Sequence, residues 1–278
     1  MLQCGKVPPM ATPAAGFAGS RPDLFKPLRY LWRTPLLLLH ILLGFLLTVL
    51  LSNPITGRRG PVPVRHWEPM VHWWSGAMLR LFGFRVRKIG TALPDPVLFV
   101  ANHVSWLDIE TLHAFRGASF VAKAEIARWP LVGWLAAQAG TIFHARGDTA
   151  SLERVMAVMR ERLAAGQSVA VFPEGGTGRG DRLKPFHARI LQVALDTGVP
   201  IQPVALRYGD NGRMDLSVPF RVGENFLANA LRLLGQRPMD AEVHFLEPLH
   251  SNGEGRRHLA DLARQRIAAV AELPSTTA

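Results

Sequence analysis

The longest apolar stretch of the chain is residues 35–51, whose only weak spots are His40, Gly44 and Thr48. A helix needs about 20 mainly apolar residues to span a bilayer, with a lower limit of about 17. Basic residues flank the stretch on both sides. They leave its orientation undecided, and they also suit a helix that lies on an anionic leaflet. We therefore predict a membrane-associated helix, either spanning or interfacial.

A second candidate membrane segment, residues 64–84, mixes large apolar side chains with histidine and arginine. Its tryptophans are Trp67, Trp73 and Trp74. Tryptophan favours the headgroup zone of a bilayer. We predict that the two segments form a membrane-associated helical hairpin, broken at Asn53-Pro54. The alternative is a hairpin buried in a soluble core, where so pure an apolar run is unusual.

From residue 97 onward, short β-rich runs alternate with segments of helical periodicity. The predicted strands are residues 98–101, 120–122, 141–144, 168–172, 201–208 and 242–246. The predicted helices are residues 151–165, 187–197 and 256–272. Asp148 or Thr149 can cap the first of these helices, and Gly166 ends it. This alternation predicts an α/β domain with a mostly parallel central sheet flanked by helices.

Composition narrows the class of protein. The 278 residues are 48% hydrophobic and 19% charged, which excludes disorder as the main state. Cys4 is the single cysteine, which excludes a disulfide scaffold. We expect a flexible segment at residues 1–28, the hairpin at 29–88 and the α/β domain at 89–278. The net charge of +11 indicates an anionic partner: nucleic acid, an anionic membrane surface or an acidic substrate.

A polar turn, ANHVSWLD at residues 101–108, follows the first strand of that domain, where α/β proteins place their sites. His103 and Asp108 can meet only if the histidine lies in the turn and the aspartate in the first helical turns. Asp108 would then fix the tautomer of His103, and His103 would act as a general base. The alternative is a helix-start charge beside a packed turn residue. A metal site including His113 is less favoured, because the chain has no HExxH motif and no Cys/His cluster.

A glycine-rich turn, VFPEGGTGRG at residues 171–180, leaves another predicted strand. Glycines let the backbone approach a ligand closely, and their N–H groups could hold an anion or an oxyanion. The turn matches neither the Walker motif nor the dinucleotide-binding motif. Taken alone, it could be an ordinary turn.

Together, these segments resemble motifs of the glycerolipid acyltransferase family, whose best-known members are the 1-acylglycerol-3-phosphate acyltransferases. The matching blocks are NHVSWLD at residues 102–108, FVAKAE at 120–125, GTIFHAR at 140–146, FPEGGT at 172–177 and VPIQPVA at 199–205. LKPFHAR at residues 183–189 resembles a bacterial branch of the family. The order of the blocks over residues 101–205 carries the resemblance.

The resemblance implies transfer of an acyl chain from acyl-CoA or acyl-ACP, as co-substrate, to a lysolipid hydroxyl, with no cofactor and no metal. His103 and Asp108 are then the catalytic residues. The implied substrate-binding residues are Lys123, Arg146, Glu174, Gly175, Gly176 and Thr177. Lys123 and Arg146 would bind anionic groups, Glu174 would organise its loop or bind acceptor, and the loop N–H groups would stabilise the oxyanion.

The acceptor implied by the resemblance is 1-acyl-sn-glycerol-3-phosphate, which gives phosphatidic acid. Many members, however, have an arginine at the place of Thr177, associated with the acceptor's phosphate, and a threonine at the place of Gly176. Arg179, Arg182 or Lys184 could substitute for that arginine. The branch without it includes lyso-ornithine lipid acyltransferases, so lyso-ornithine lipid is the alternative acceptor.

Two other function classes are weaker. A nucleic-acid binder would have aromatic residues among basic patches, whereas the tryptophans here cluster beside the apolar run. A non-catalytic membrane scaffold would not need the intact pair of His103 and Asp108. We expect the protein at the cell inner membrane, with an anionic membrane surface as partner and the catalytic domain on the cytoplasmic side.

Overall fold

The computed structural model describes residues 23–51, 68–145, 147–210, 213–251 and 253–271. The predicted break at Asn53-Pro54, Trp67 and the candidate ligand Arg146 lie outside the described residues. So does most of the segment that the sequence predicts to be flexible.

The described residues alternate helices and strands as the sequence predicts. The helices are α1 (Lys26–Leu51), α2 (Glu68–Leu81), α3 (Leu107–His113), α4 (Val132–Gln138), α5 (Thr149–Ala164), α6 (Gln192–Thr197), α7 (Phe226–Leu234) and α8 (Arg256–Ala271). The strands are β1 (Phe84–Ile89), β2 (Leu98–Ala101), β3 (Ser119–Lys123), β4 (Ile142–His144), β5 (Val169–Val171), β6 (Ile201–Tyr208) and β7 (Met239–Phe245). Short 3-10 helices at Ala124–Arg128 and Ala188–Leu191 precede α4 and α6.

The strands form one seven-stranded sheet in the order β1-β7-β6-β2-β5-β3-β4. Strands β2 to β6 run parallel to one another, whereas β7 pairs antiparallel with β6 and parallel with β1. The prediction of an α/β fold with a mostly parallel sheet is therefore confirmed. The central strand β2 is buried at every position, as expected for a strand covered on both faces.

Alternate residues of β2 enter different cores on the two faces of the sheet. Leu98 and Val100 belong to a core built largely with α5, α6 and α8. Phe99 and Ala101 belong to another core, which includes Leu112 of α3. The helices that follow the strands therefore cover both faces, and the polar turn after β2 emerges between these layers.

Most predicted elements appear within a few residues of their expected bounds. The carboxylate of Asp148 caps α5 by accepting the backbone N–H of Ser151 at 3.1 Å. Strand β1 was missed, because its short sequence FRVRKI adjoins the predicted hairpin and only Phe84 is buried. This strand lies in the stretch that the sequence assigned to the hairpin, yet it pairs with β7 of the α/β sheet.

Among the described residues, α1 is the helix whose length and composition would allow it to cross a membrane. Many of its leucines are exposed along its whole length. Its other side contacts α2, α4 and α7. Tyr30 donates to the carbonyl of Leu231 at 2.8 Å, and the buried Arg33 donates to the carbonyl of Leu234 at 2.8 Å. Polar contacts therefore fix the first turns of α1 to the end of α7.

Helix α2 packs both on the α/β domain and on α1. Its buried Met78 and Leu79 belong to a core shared with α3 and α7, as in the alternative of a hairpin buried in a soluble core. Trp74 stacks on His40 of α1 with ring centroids 3.8 Å apart, while Trp73 is half exposed. Helix α2 therefore joins the apolar α1 to the α/β domain.

Candidate active site

The turn after β2 is fixed in place by Asn102. Its buried side-chain amide donates to the carbonyl of Leu206 at 2.9 Å and accepts the N–H of Leu206 at 2.7 Å. The Asn102 side chain therefore extends the hydrogen-bonding pattern between β2 and β6 by one residue beyond the end of β2. The next residue, His103, therefore leaves the sheet at a defined position.

His103 and Asp108 meet in the way the sequence analysis required. His103 lies in the strand-to-helix turn, Asp108 is the second residue of α3, and His103 Nδ1 is 2.7 Å from Asp108 Oδ2. The same carboxylate oxygen accepts the N–H groups of Val104 at 2.7 Å and Ser105 at 2.9 Å. The Asp108 side chain is fully buried, whereas that of His103 is 13% exposed. The aspartate thus holds both the turn and the imidazole, the latter through Nδ1.

The imidazole plane is set by an aromatic neighbour. Phe172, which follows β5, stacks on His103 with ring centroids 4.0 Å apart and an interplanar angle of 12°. Phe120 of β3 stacks in turn on Phe172 at 5.6 Å. This apolar column covers one face of the imidazole and restricts its rotation about the Cβ–Cγ bond.

Glu174 joins the two motif segments. Its Oε1 accepts the backbone N–H of His103 at 2.7 Å, and its Oε2 accepts that of Lys184 at 3.0 Å. Burial raises the pKa of the Glu174 carboxyl, while these two N–H donors act in the opposite direction. Both oxygens are therefore engaged with backbone, which favours the organising role for Glu174 over direct contact with an acceptor.

The glycine-rich loop is closed on itself and on the histidine turn. Gly178 donates its N–H to the carbonyl of His103 at 2.6 Å. Gly175 has a φ of +71°, and a Cβ there would lie 3.1 Å from the ring of His187. Gly175 also donates its N–H to the carbonyl of Phe172 at 3.2 Å, so this donor is already used.

Lys184 closes the same loop. Its ammonium donates to the carbonyl of Thr177 at 2.9 Å and lies 3.4 Å from that of Gly176. From its position in the sequence, this lysine is a candidate ligand for an acceptor phosphate. In the structure its amine holds loop carbonyls instead. The N–H of Thr177 shares a peptide unit with the carbonyl of Gly176 and therefore points away from the lysine. The N–H groups of Gly176 and Thr177 remain the candidate oxyanion donors.

Of the remaining predicted ligands, Arg146 lies outside the described residues, and Lys123 contacts another charged side chain. Lys123, at the end of β3, is half exposed and forms an ion pair with Glu125 at 2.9 Å. One strand, β5, lies between β3 and β2, the strand that the turn with His103 follows. Among the described residues there is also no cluster of three His, Cys, Asp or Glu side chains that could hold a metal ion.

The sequence reasoning missed a further residue at the site. Tyr208, the last residue of β6, donates its hydroxyl to Asp108 Oδ1 at 2.7 Å. It lies 100 positions from Asp108 in the chain. In the sequence, a tyrosine at the end of a strand resembles an ordinary core residue. The signal that sets this tyrosine apart is its place in the fold, where β6 ends beside the turn that follows β2.

Comparison with known proteins agrees with this geometry. A sequence model of the Acyltransferase family matches residues 85–207. The chain is 39% identical over 200 residues to lyso-ornithine lipid O-acyltransferase from Pseudomonas aeruginosa, covering 72% of this chain and 77% of the relative. It is 33% identical over 218 residues to 1-acyl-sn-glycerol-3-phosphate acyltransferase from Neisseria gonorrhoeae, covering 78% and 86%.

The fold has a counterpart among solved structures. The crystal structure of the 1-acyl-sn-glycerophosphate acyltransferase PlsC from Thermotoga maritima superposes with a TM-score of 0.64, over 90% of this chain and 98% of that one, at 19% identity. The sequence matches on the same residues that form the His103–Asp108 turn and the glycine-rich loop establish that this chain belongs to the acyltransferase family.

Proposed function

We propose that the protein is a membrane-associated O-acyltransferase that moves a fatty acyl chain from acyl-CoA or acyl-ACP to the free hydroxyl of a lysolipid. The observation that carries the proposal is the 2.7 Å contact between His103 Nδ1 and the buried carboxylate of Asp108. A histidine held in this way presents an unprotonated Nε2 to a substrate.

In the proposed reaction, His103 Nε2 removes the proton of the acceptor hydroxyl as its oxygen attacks the thioester carbonyl. Asp108 stabilises the imidazolium that forms. The tetrahedral intermediate then collapses, the carbon–sulfur bond breaks, and the imidazolium returns its proton to the leaving thiolate. Atoms and charge balance without a metal or a redox group.

The negative oxygen of that intermediate needs donors that are already oriented. The N–H groups of Gly176 and Thr177 are the candidates for this role. Lys184 orients that of Thr177 by binding the carbonyl of Gly176 in the same peptide unit. Ser105 lies between the catalytic pair but is fully buried. Direct transfer requires no acyl-enzyme, and no nucleophile elbow surrounds this serine.

The acceptor has two candidates. Lysophosphatidate follows from the best-known members of the family and from the N. gonorrhoeae relative. Lyso-ornithine lipid is favoured by a specific observation: the phosphate-ligand position holds Thr177, and the nearby Lys184 is occupied by loop carbonyls. The name of the P. aeruginosa relative supports the same acceptor.

The test is an assay of the purified full-length protein with labelled acyl-CoA or acyl-ACP and a panel of lysolipids. We expect His103→Ala to lower kcat by about 10² to 10⁴, the usual contribution of a general base. His258→Ala, on the exposed side of α8, is the matched control and should retain activity. Near wild-type transfer by His103→Ala would exclude the proposed mechanism, and the acceptor turned over by the wild type decides between the two lipids.

We further propose that α1 attaches the protein to the inner membrane, with the α/β domain on the cytoplasmic side. The supporting observation is that α1 exposes leucines such as Leu38 and Leu42 while its other side packs on the domain. A Leu38→Glu/Leu42→Glu variant should float less with vesicles of anionic phospholipid. Leu216→Glu, at an exposed leucine outside α1, is the control. Equal flotation of both variants would contradict the attachment through α1.

A further inference from the structure

The two oxygens of the Asp108 carboxylate have different partners. Oδ2 faces His103 and the N–H groups of Val104 and Ser105. Oδ1 accepts the hydroxyl of Tyr208 at 2.7 Å. The aspartate is therefore held from the turn that it caps and, separately, from the end of β6.

The direction of the hydrogen bonds follows from the chemistry of the groups. An ionised carboxylate only accepts, so the phenol of Tyr208 must donate to Asp108. Burial, and then the neighbouring Asp108 charge, raise the pKa of Tyr208 well above its ordinary value, which keeps the phenol protonated. Thr111 Oγ1 lies 3.1 Å from the same hydroxyl and therefore donates to it. The result is an ordered chain from Thr111 through Tyr208 and Asp108 to His103.

We propose that Tyr208 is a positioning residue for this chemistry: it holds the Asp108 carboxylate in the orientation and charge state that keep His103 a general base. The proposal rests on the general-base function of His103 proposed above. Tyr208 itself does not reach substrate, since its side chain is fully buried and its ring packs edge-on against Phe84.

The burial of the pair explains why one hydroxyl matters. Without it, Asp108 Oδ1 would be a charged oxygen with no donor and no access to water, which is far costlier than an exposed one. The carboxylate could relieve that cost by rotating or by taking up a proton. Either response weakens the hydrogen bond to His103 Nδ1, so the defect would be expressed in catalysis as well as in stability.

Tyr208→Phe in the full-length protein isolates the hydroxyl, because the ring is retained. We expect kcat to fall about 10- to 100-fold, the effect typical of one hydrogen bond to a charged group, with KM for donor and acceptor changed by less than about 2-fold. The other tyrosine of the chain provides the matched control. Tyr30→Phe also removes one bonded hydroxyl, at the start of α1, and should leave kcat within about 2-fold.

A pH profile separates positioning from simple stability. The titratable and charged groups around His103 are Asp108 on α3, Tyr208 on β6, and Glu174 with Lys184 on the loop after β5. Rotation or protonation of Asp108 leaves less of its charge to stabilise the imidazolium. The acidic limb of the kcat/KM profile should therefore move to lower pH in Tyr208→Phe and stay in place in Tyr30→Phe.

Each outcome decides the proposal. A Tyr208→Phe enzyme with wild-type kcat and pH profile, beside an inactive His103→Ala, overturns the positioning role and leaves the general base intact. An active His103→Ala overturns both proposals. A lower thermal midpoint for Tyr208→Phe with unchanged kcat and unchanged acidic limb would show a structural role only, and would also overturn the proposal.

Discussion

Glu174 Oε1 accepts the backbone N–H of His103 at 2.7 Å, across 71 positions of the chain. This bond ties the turn that bears the histidine to the loop that bears the candidate oxyanion donors. Gly178 returns a second bond from that loop to the carbonyl of His103. The two motif segments therefore form one structural unit, and a substitution in either segment should alter the geometry of the other.

Lys184→Met should impair the loop without changing acceptor preference. The ammonium holds the carbonyl of Thr177, so its loss frees the loop that carries the oxyanion donors. We expect kcat to fall about 10-fold with lysophosphatidate and with lyso-ornithine lipid alike. Steady-state kinetics with both acceptors measures this.

The control is Lys88→Met, at an exposed lysine of β1 that should tolerate the change. A rise in KM confined to the phosphate-bearing acceptor in Lys184→Met would instead identify the lysine as a phosphate ligand, contrary to the contacts described above.

Glu174→Gln should alter the pH dependence of stability. Burial raises the pKa of this carboxyl above its value in the unfolded chain, so the folded protein binds the proton more tightly. The stabilisation is complete below the unfolded value of about 4.3 and is lost as the pH rises through the higher folded value. The wild type should therefore lose stability relative to Glu174→Gln as the pH rises from about 4 to 7.

Thermal midpoints of the two proteins across that range measure the effect. Glu224 is a control of opposite sign, because Arg232 holds the pKa of Glu224 at about 2. The wild type should gain stability relative to Glu224→Gln as the pH rises through the acid range. The same sign in both variants would refute this account of Glu174.

Arg33→Met should weaken the attachment of α1. The buried guanidinium donates to the carbonyls of Leu234 at 2.8 Å, Gln236 at 2.9 Å and Phe82 at 3.3 Å. It also places a positive charge at the carboxyl end of α7, where the helix dipole favours it. Methionine fills similar space but leaves these carbonyls without the donor, which should cost about 3 kcal/mol.

A loss of that size lowers the thermal midpoint by about 6 to 12 °C in a protein of this length. Limited proteolysis should also cut at α1 sooner. Arg154→Met is the control, at an exposed arginine whose ion pair spans 3.5 Å. An unchanged midpoint in Arg33→Met would show that α1 is held mainly by its apolar contacts.

Gly44→Ala should disturb the contact between α1 and α2. A Cβ on Gly44 would lie 2.0 and 2.2 Å from two ring carbons of Trp74, so the ring must move and lose its stacking on His40. We expect a destabilisation of about 1 to 3 kcal/mol, which exceeds the helix-propensity gain of up to about 1 kcal/mol.

Gly76→Ala, in α2, is the matched control, since the nearest atom to a Cβ there is on Arg80 at 3.7 Å. This variant should be neutral or slightly more stable. Denaturant or thermal midpoints compare the two, and equal behaviour of both glycine variants would argue against close packing at Gly44.

The sequence determined the class of fold and the identity of the candidate catalytic pair. Apolar runs such as residues 98–101 are bounded by turns, and local pattern suffices to place buried strands of this kind. His103 and Asp108 are five positions apart, so local geometry alone limits how they can meet. By contrast, β1 escaped prediction, because an edge strand buries little and its pattern is weak.

Only the tertiary structure decided which groups surround that pair. Tyr208 reaches Asp108 because β6 lies next to β2, and Glu174 reaches His103 because β5 lies on the other side. The sequence made Lys184 a candidate substrate ligand, whereas in the structure its ammonium contacts the loop, for the same reason. Such contacts depend on strand order and on the direction of individual side chains, and residue patterns along one chain specify neither.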